Sequence, residues 1–528
     1  MSSSPSHLSQ RSLALAATIC AVAMTFIDQT IVSIAAPTMQ GELHLTTTDV
    51  QWAVNAYVLA LATLFSFGGR LADTIGHRRM LVVGVLIFAV ASALCGMTPA
   101  GPATEPWLIT FRALQGAGGA LLYPAALAIV ASTYAHHERG RGLALFFGIA
   151  GGLTAIGPVL GGYLTQWTWR AIFWVNVPLA LIALLLIAWA RPQTLHRPAP
   201  MDYKGLALIA GGTGLSVFGL QQASLWGWSL GTWLCITAGV ALLVWFARAE
   251  ARSTSPLLNI GLFRDRTFLV QNLVLLVAMA TFVPVTFFTS AYAEVALGMN
   301  ASRAGRDLLY FFFGFVVTAQ VGGRLLDRAG AKRPVVLGSA LASGGYFLWA
   351  DRLTTLDENA IVWCMVMAGA GMGLMLGQSN TDALNRVPQT SYGEATGATQ
   401  TVRNYGASLG LAVLGTQFAS ALHSGLTSSL TALGLPHDAA DREAAKIARL
   451  GPGTGGSGGA SGIPHVVRLA FAAATQAVMY SMGTIMAVAC AIALVGLRTG
   501  TQRELPAAAR GDKAEAVGAS PASASGPA

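Results

Sequence analysis

Two ionisable residues stand inside otherwise uncharged apolar runs, and their types could do chemistry there. Asp28 falls within residues 13–37 and Arg112 within residues 107–132. A charge at the centre of a membrane segment costs roughly 2.5–3.5 kcal/mol on the insertion scale unless it is paired or hydrated. A carboxylate held there can load and release a proton, and a guanidinium nearby can tune that step through its charge. The two together point to proton coupling, with a static ion pair that only packs helices as the competing reading. Glu294, in Tyr292-Ala293-Glu294 just past residues 267–291, is a third candidate for a proton or a cation. A loop acid in contact with water is its plainer reading.

The elements that must position these charges follow from composition. The chain has 528 residues, 54% of them hydrophobic and 10% charged, with a mean hydropathy of +0.58. A soluble domain carries about 25% charged residues, so a soluble enzyme is excluded. Apolar runs of bilayer-spanning length recur at residues 13–37, 50–69, 80–97, 107–132, 142–164, 171–190, 205–222, 231–248, 267–291, 308–323, 334–350, 361–383, 396–422 and 466–497. They predict an all-α polytopic membrane protein with fourteen spans. A transmembrane barrel is disfavoured, because its strands are about 10 residues long and alternate in polarity. The five cysteines lie singly in apolar runs and read as packing residues, neither disulfides nor metal ligands.

An even number of spans puts both termini on one side, and the basic residues say which. Arg70, Arg78 and Arg79, then Arg139 and Arg141, Arg191, Arg197 and Lys204, Arg248, Arg252, Arg264 and Arg266, and Arg324, Arg328, Lys332 and Arg333 share alternate loops. These loops are expected to be cytoplasmic, and with them both termini, in a cell inner (plasma) membrane. Arg170, Arg303, Arg306 and Arg352 run against the pattern and are outnumbered. The net charge of +9 thus reports orientation, and no nucleic-acid partner is expected.

One frame occurs twice. Gly68-Gly69-Arg70-Leu71-Ala72-Asp73-Thr74-Ile75-Gly76-His77-Arg78-Arg79 returns as Gly322-Gly323-Arg324-Leu325-Leu326-Asp327-Arg328-Ala329-Gly330-Ala331-Lys332-Arg333, 254 residues on (322 minus 68). The copies follow spans two and ten, eight spans apart, whereas two six-helix halves would place them six apart. Two helices must therefore be inserted between the halves. The division expected is residues 1–12 as a cytoplasmic N-terminus, 13–190 as the first six-helix half, 191–266 as a two-helix linker with flanking loops, 267–497 as the second half with a long outer loop at 424–465, and 498–528 as a disordered cytoplasmic tail. Parallel six-helix repeats with a substrate site between them describe the major facilitator fold.

Four stretches carry a family resemblance. Span one reads Asp28-Gln29-Thr30-Ile31-Val32-Ser33-Ile34-Ala35-Ala36-Pro37; span four holds Arg112-Ala113-Leu114-Gln115-Gly116-Ala117-Gly118-Gly119 with Pro124. Span five ends Gly157-Pro158-Val159-Leu160-Gly161-Gly162 and is followed by Trp169-Arg170-Ala171-Ile172-Phe173-Trp174-Val175-Asn176-Val177-Pro178. Pro256-Leu257-Leu258-Asn259-Ile260-Gly261-Leu262-Phe263-Arg264 leads into span nine. In this order they make the chain resemble the fourteen-span drug:proton antiporters of the major facilitator superfamily, over nearly all of residues 13–497. The resemblance implies multidrug efflux of amphipathic or cationic compounds, exchanged for protons by alternating access, with no enzyme activity and no cofactor. It implies an antiporter-type kink at Gly157, Pro158, Gly161 and Gly162, and function as a monomer among membrane lipids, with room for a periplasmic adaptor. A dedicated exporter of one endogenous metabolite is the alternative, since a pump fold does not set its cargo. A membrane-embedded enzyme or receptor is the remote one, because converging His, Asp and Glu within the spans are missing.

Amides and aromatics suited to an amphipathic ligand are Gln51, Trp52, Asn55 and Tyr57 on span two, Gln115 and Tyr123 on span four, and Gln378 and Asn380 on span twelve. No Walker lysine motif is present, and His136-His137-Glu138 lacks metal-ligand spacing. The repeated frame reads as a conformational latch built from Gly69, Arg70, Asp73, Gly76 and Arg79 and from Gly323, Arg324, Asp327, Gly330 and Arg333: glycine permits close helix approach, and the aspartate can meet a helix N-terminus or an arginine. Setting topology through positive charge alone is the competing reading. Asp73→Asn is expected to leave membrane insertion intact and to lower the initial rate of transport; an unchanged rate in vesicles would exclude the latch.

Overall fold

The computed structural model describes residues 7–133, 146, 149, 153–154, 156–191, 201–253, 256–385, 387, 392–450 and 465–500. Within them the chain is helical and has no strand. The helices are α1 (His7–Leu43), α2 (Thr47–Ile75), α3 (His77–Gly96), α4 (Thr104–Thr133), α5 (Ile156–Trp167), α6 (Ala171–Trp174), α7 (Asn176–Ala190), α8 (Tyr203–Trp226), α9 (Leu230–Glu250), α10 (Arg266–Val295), α11 (Ala301–Ala329), α12 (Lys332–Leu353), α13 (Glu358–Asn385), α14 (Tyr392–Ala432), α15 (His437–Leu450) and α16 (His465–Gly496). Eleven described helices are long and apolar enough to cross a membrane. Of the other expected spans, α12 and α14 are long but diluted by Gly, Ser and Thr, and α5 is described over 12 residues only. Arg139, Arg141, Arg197, the His136-His137-Glu138 stretch, residues 451–464 and the tail beyond residue 500 lie outside the described residues.

The sequence repeat extends to whole helices. Adding 254 to the bounds of α2 gives those of α11 (47 to 301, 75 to 329), and adding it to the start of α4 gives the start of α13 (104 to 358). The shared turn has a local cause: Gly76 and Gly330, equivalent in the frame, have φ of 106° and 77°, a region that costs other residues a clash at Cβ. Each frame also packs its first glycine closely against a neighbouring helix. A Cβ on Gly68 would run into the Ala120 carbonyl of α4, and one on Gly322 into the Gln378 side chain of α13.

The halves meet along three seams. Thr286 on α10 donates to Ser33 on α1 at 3.2 Å. Ser66 on α2 and Thr401 on α14 share a 3.2 Å hydrogen bond. On the third seam, α5 and α11 touch through glycine, since a Cβ on Gly162 would meet the Ala301 carbonyl and one on Gly305 the Pro158 carbonyl. Such contacts fit helix association in lipid, which is driven by packing of small residues more than by water exclusion. The inserted helix α8 lies against α2 and α14: Thr63 pairs with Thr213 at 3.1 Å, Ser216 with Tyr405 at 2.8 Å, and Thr416 donates to the Leu220 carbonyl at 2.8 Å. Its partner α9 turns Trp233, Leu234, Val240 and Trp245 outward, the face a lipid-bathed helix shows.

Residues 424–465, expected as a long outer loop, contain more structure than a loop. α14 runs on to Ala432, and α15 follows as an amphipathic helix with Ala440 and Ala444 buried and Arg442 and Lys446 outward. Thr47 at the start of α2 donates to the Ala448 carbonyl at 3.2 Å, and His423 lies 2.9 Å from Asp441. Gly305→Val is expected to part α5 from α11; spin labels at Tyr163 and Arg306 in a cysteine-free background would read a longer distance, and an unchanged one would show that this contact does not set the separation.

Candidate functional site

Asp28 and Arg112 form a direct ion pair, Arg112 Nη1 donating to Asp28 Oδ2 at 2.6 Å, with both side chains sealed from the surface. The pair is the centre of a hydrogen-bonded network that ties α1 to its neighbours in the first half. Arg112 Nη1 also donates to Gln115 Oε1 at 2.6 Å, and its Nε to the Ala53 carbonyl of α2 at 2.8 Å. Gln115 Nε2 returns a bond to Asp28 Oδ1 at 2.8 Å and another to Ser92 Oγ on α3 at 3.2 Å. Ser92 in turn donates to the Phe173 carbonyl at 2.8 Å and accepts from Asn176 Nδ2 at 3.0 Å. The Tyr57 ring lies 4.5 Å under the guanidinium, its hydroxyl donating to the Thr25 carbonyl at 3.1 Å.

The placement has simple local causes. Arg112 and Gln115 are three residues apart on α4 and so share a face. Asn176 opens α7 where the chain turns out of the short α6, and Ser92 faces it from α3. Gln115 and Tyr57, expected to line a ligand cavity, are thus members of the acid–base cluster. Asn176 and Ser92 also belong to it. The first was visible only as one residue of a longer motif and the second only as an ordinary small residue in an apolar run.

The model of the Major Facilitator Superfamily matches residues 18–411, which runs from within α1 to about half-way along α14. The chain belongs to the major facilitator superfamily. It is a multi-pass membrane transporter of small molecules, not an enzyme. It is 33% identical over 496 residues to the tetracenomycin C resistance and export protein of Streptomyces glaucescens, covering 91% of this chain and 90% of that one. It is 31% identical over 421 residues to the multidrug transporter protein MdtP of Bacillus subtilis (strain 168), covering 77% and 75%. Among solved structures, a bacterial homologue of the human lysosomal transporter Spinster has a TM-score of 0.60 at 17% identity, covering 94% of this chain and 98% of that one. The xylose transporter XylE from E. coli has a TM-score of 0.59 at 10% identity, covering 94% and 100%. At those identities the likeness to solved structures is one of fold.

The other candidate residues of this facilitator fall into separate places. Asn55, fully buried, donates to Gln221 of α8 at 2.7 Å and accepts from the Ser408 hydroxyl of α14, joining both halves and the inserted helix. Trp52 packs on Phe218 of α8, ring centroids 5.9 Å apart, and Gln51 sets its amide against Gly415 of α14. Gln378 donates to the Ala319 carbonyl of α11 at 3.0 Å, and Asn380 is half-buried on α13. Glu294, near the end of α10, has Ser290 as its hydrogen-bond partner at 3.4 Å. Gly157 and Gly161 abut Thr30 and Ile31 of α1, so α1 carries Asp28 on one face and touches the antiporter-type segment on another. In the latch frames, Arg70 donates to the Pro256 carbonyl at 3.3 Å and Asp73 lies 3.0 Å from His77. Arg79, Arg324, Asp327 and Arg333 are exposed.

Asp382 on α13 is a further buried acid: it is 1% exposed and accepts from Gln271 Nε2 of α10 at 2.6 Å. Among the described residues no group of three His, Cys, Asp or Glu could hold a metal ion.

A buried pair that loses one partner leaves the other charge uncompensated, which costs about 3–5 kcal/mol. Arg112→Met is therefore expected to destabilise the purified transporter by about that amount, and adding Asp28→Asn to recover part of the loss. Thermal unfolding in detergent measures both. A double variant no more stable than Arg112→Met would show that the two residues are not energetically coupled.

Proposed function

We propose that this transporter exports amphipathic, drug-like compounds across the bacterial plasma membrane in exchange for protons, by alternating access, with both termini in the cytoplasm. The observation that carries the coupling is the Asp28–Arg112 pair, one titratable carboxylate sealed in the first half. When Asp28 takes up a proton, its charge attraction to Arg112 is lost and the bonds through Arg112 and Gln115 must be redrawn. α1 feels that change directly. Two and five residues beyond Asp28, Thr30 reaches the Thr154 carbonyl at 3.1 Å and Ser33 accepts from Thr286 of the other half. On this reading, proton uptake at Asp28 acts about one and a half helical turns from a seam that opens and closes as one half rocks against the other. The driving force is ample: one charge across 100 mV is worth about 2.3 kcal/mol.

The direction and the cargo class rest on the relatives, one named for resistance to and export of a single compound and another for multidrug transport. The first, which is matched over 91% of this chain, also favours a second reading, a dedicated exporter of one metabolite. Glu294 is proposed as a second proton carrier toward the outer end of α10. The two latch frames, docked through Arg70 in the first copy, are proposed to hold the cytoplasmic ends in one state, and the Gly157-Pro158 segment to bend against α1 as the halves rock.

In proteoliposomes with an imposed pH gradient, Asp28→Asn is expected to abolish gradient-driven efflux of a fluorescent amphipathic dye while dye binding remains measurable. Efflux at the wild-type rate by that variant would overturn the coupling role.

A further inference from the structure

The interior holds a second guanidinium whose surroundings are the opposite of those of Arg112. Arg403 sits in the first third of α14, half-buried, facing α10 and α4. Its Nη1 donates to the Gln400 side chain one turn earlier at 2.9 Å, and its Nη2 approaches the Met279 sulfur of α10 at 3.9 Å. Its Nε is buried with no acceptor, and among the described residues no carboxylate pairs with it. Beside it stands Tyr123 of α4, 5% exposed, close enough for phenol and guanidinium to act on one another. The Tyr123 hydroxyl also lacks a partner of good geometry. Its ring belongs to an aromatic wall with Phe26 at 5.7 Å and Phe65 at 5.3 Å.

A guanidinium offers five N–H donors. Arg112 spends its donors on a carboxylate, an amide and a carbonyl; Arg403 has one good acceptor. An unpaired cation in a membrane interior is costly and marks a place where a partner arrives. Arg403, Gln400 and Met279 belong to the second half and Tyr123 to the first, so an occupant there touches both parts that move. The unpartnered groups offer hydrogen to an oxyanion, in a fork suited to carboxylate, and the wall beside them is aromatic. Glu294 does not alter this: it lies fifteen residues beyond Met279 on α10, roughly 22 Å along the helix.

We propose that Arg403, Gln400 and the Tyr123 hydroxyl form an anion-recognising subsite where the two halves meet, and that the exported compound carries a carboxylate or an acidic phenol on a flat aromatic body. This rests on the export reading and narrows its cargo, toward acidic amphiphiles and away from cations. Two dyes on one xanthene ring test it: fluorescein, with a carboxylate and an ionisable phenol, and cationic rhodamine 6G, each titrated by fluorescence anisotropy against the full chain in lipid nanodiscs. Wild type is expected to bind fluorescein the more tightly. Arg403→Gln is expected to weaken fluorescein roughly tenfold or more and to leave rhodamine 6G unchanged or tighter, and Arg403→Lys to retain part of the fluorescein affinity. If Arg403→Gln does not fold, Tyr123→Phe, which removes only the hydroxyl, is expected to weaken fluorescein selectively. Equal loss for both dyes, or a wild-type preference for rhodamine 6G, would overturn the subsite. Gradient-driven efflux of rhodamine 6G with fluorescein ignored would overturn it and leave proton-coupled export standing. Fluorescein bound through Arg403 but not moved by a pH gradient would keep the subsite and sink the export reading.

Discussion

The constraint on which the rest of the first half depends is that a carboxylate and a guanidinium have been taken out of water together. In that environment the attraction between Asp28 and Arg112 offsets their desolvation only if the remaining donors and acceptors are also met. That requirement explains residues on four helices: Gln115 bridges both charges, Ser92 accepts from Gln115 and is itself held by Asn176, Ala53 lends a carbonyl, and Tyr57 covers the guanidinium face. A network in which each member fixes the next cannot change at one point alone. Proton uptake at Asp28 is therefore felt by α2, α3, α4 and the turn into α7.

The seams impose a complementary constraint. In lipid there is little hydrophobic gain from bringing helices together, so close contact depends on small residues and a few hydrogen bonds. The α5–α11 contact is backbone on backbone through Gly162 and Gly305, and the α2–α14 contact is a line of hydroxyl and amide bonds into which α8 adds its own. The inserted helix is thus part of one seam. Any rocking of the halves must either carry α8 along or break its bonds to α2 and α14. On the expected outer side, α15 is tied to the start of α2 and to α14, so these two helices are held at that end by a segment with no counterpart in the first half.

The two buried arginines show how the same side chain acquires different meaning. Arg112 is held by a carboxylate, an amide and a carbonyl, which suits a group that tunes a fixed acid. Arg403 is undersupplied with acceptors at the place where the halves meet, which suits a group that waits for one. Neither residue is repeated in the other half: the 254-residue offset sends Arg112 to Val366, and Arg403 back to Ile149. The halves share a scaffold and divide the chemistry.

The sequence by itself determined the class of molecule, the repeat and the fold, because bilayer-length apolar runs, loop charges and the Gly-Gly-Arg-Leu frame are local patterns that need no partner to be read. It also singled out Asp28 and Arg112, since a charge in an apolar run is conspicuous whatever surrounds it. Only the tertiary structure decided that Gln115 and Tyr57 serve that pair and not a cavity, that Asn176 and Ser92 complete it, that Asp382 turns inward to Gln271, and that among the described residues no acid pairs with Arg403. The reason is physical. Which polar groups meet depends on contacts between helices 84 residues apart for Asp28 and Arg112 and 353 for Asn55 and Ser408, and such contacts are set by packing, on which a run of residues along one helix is silent.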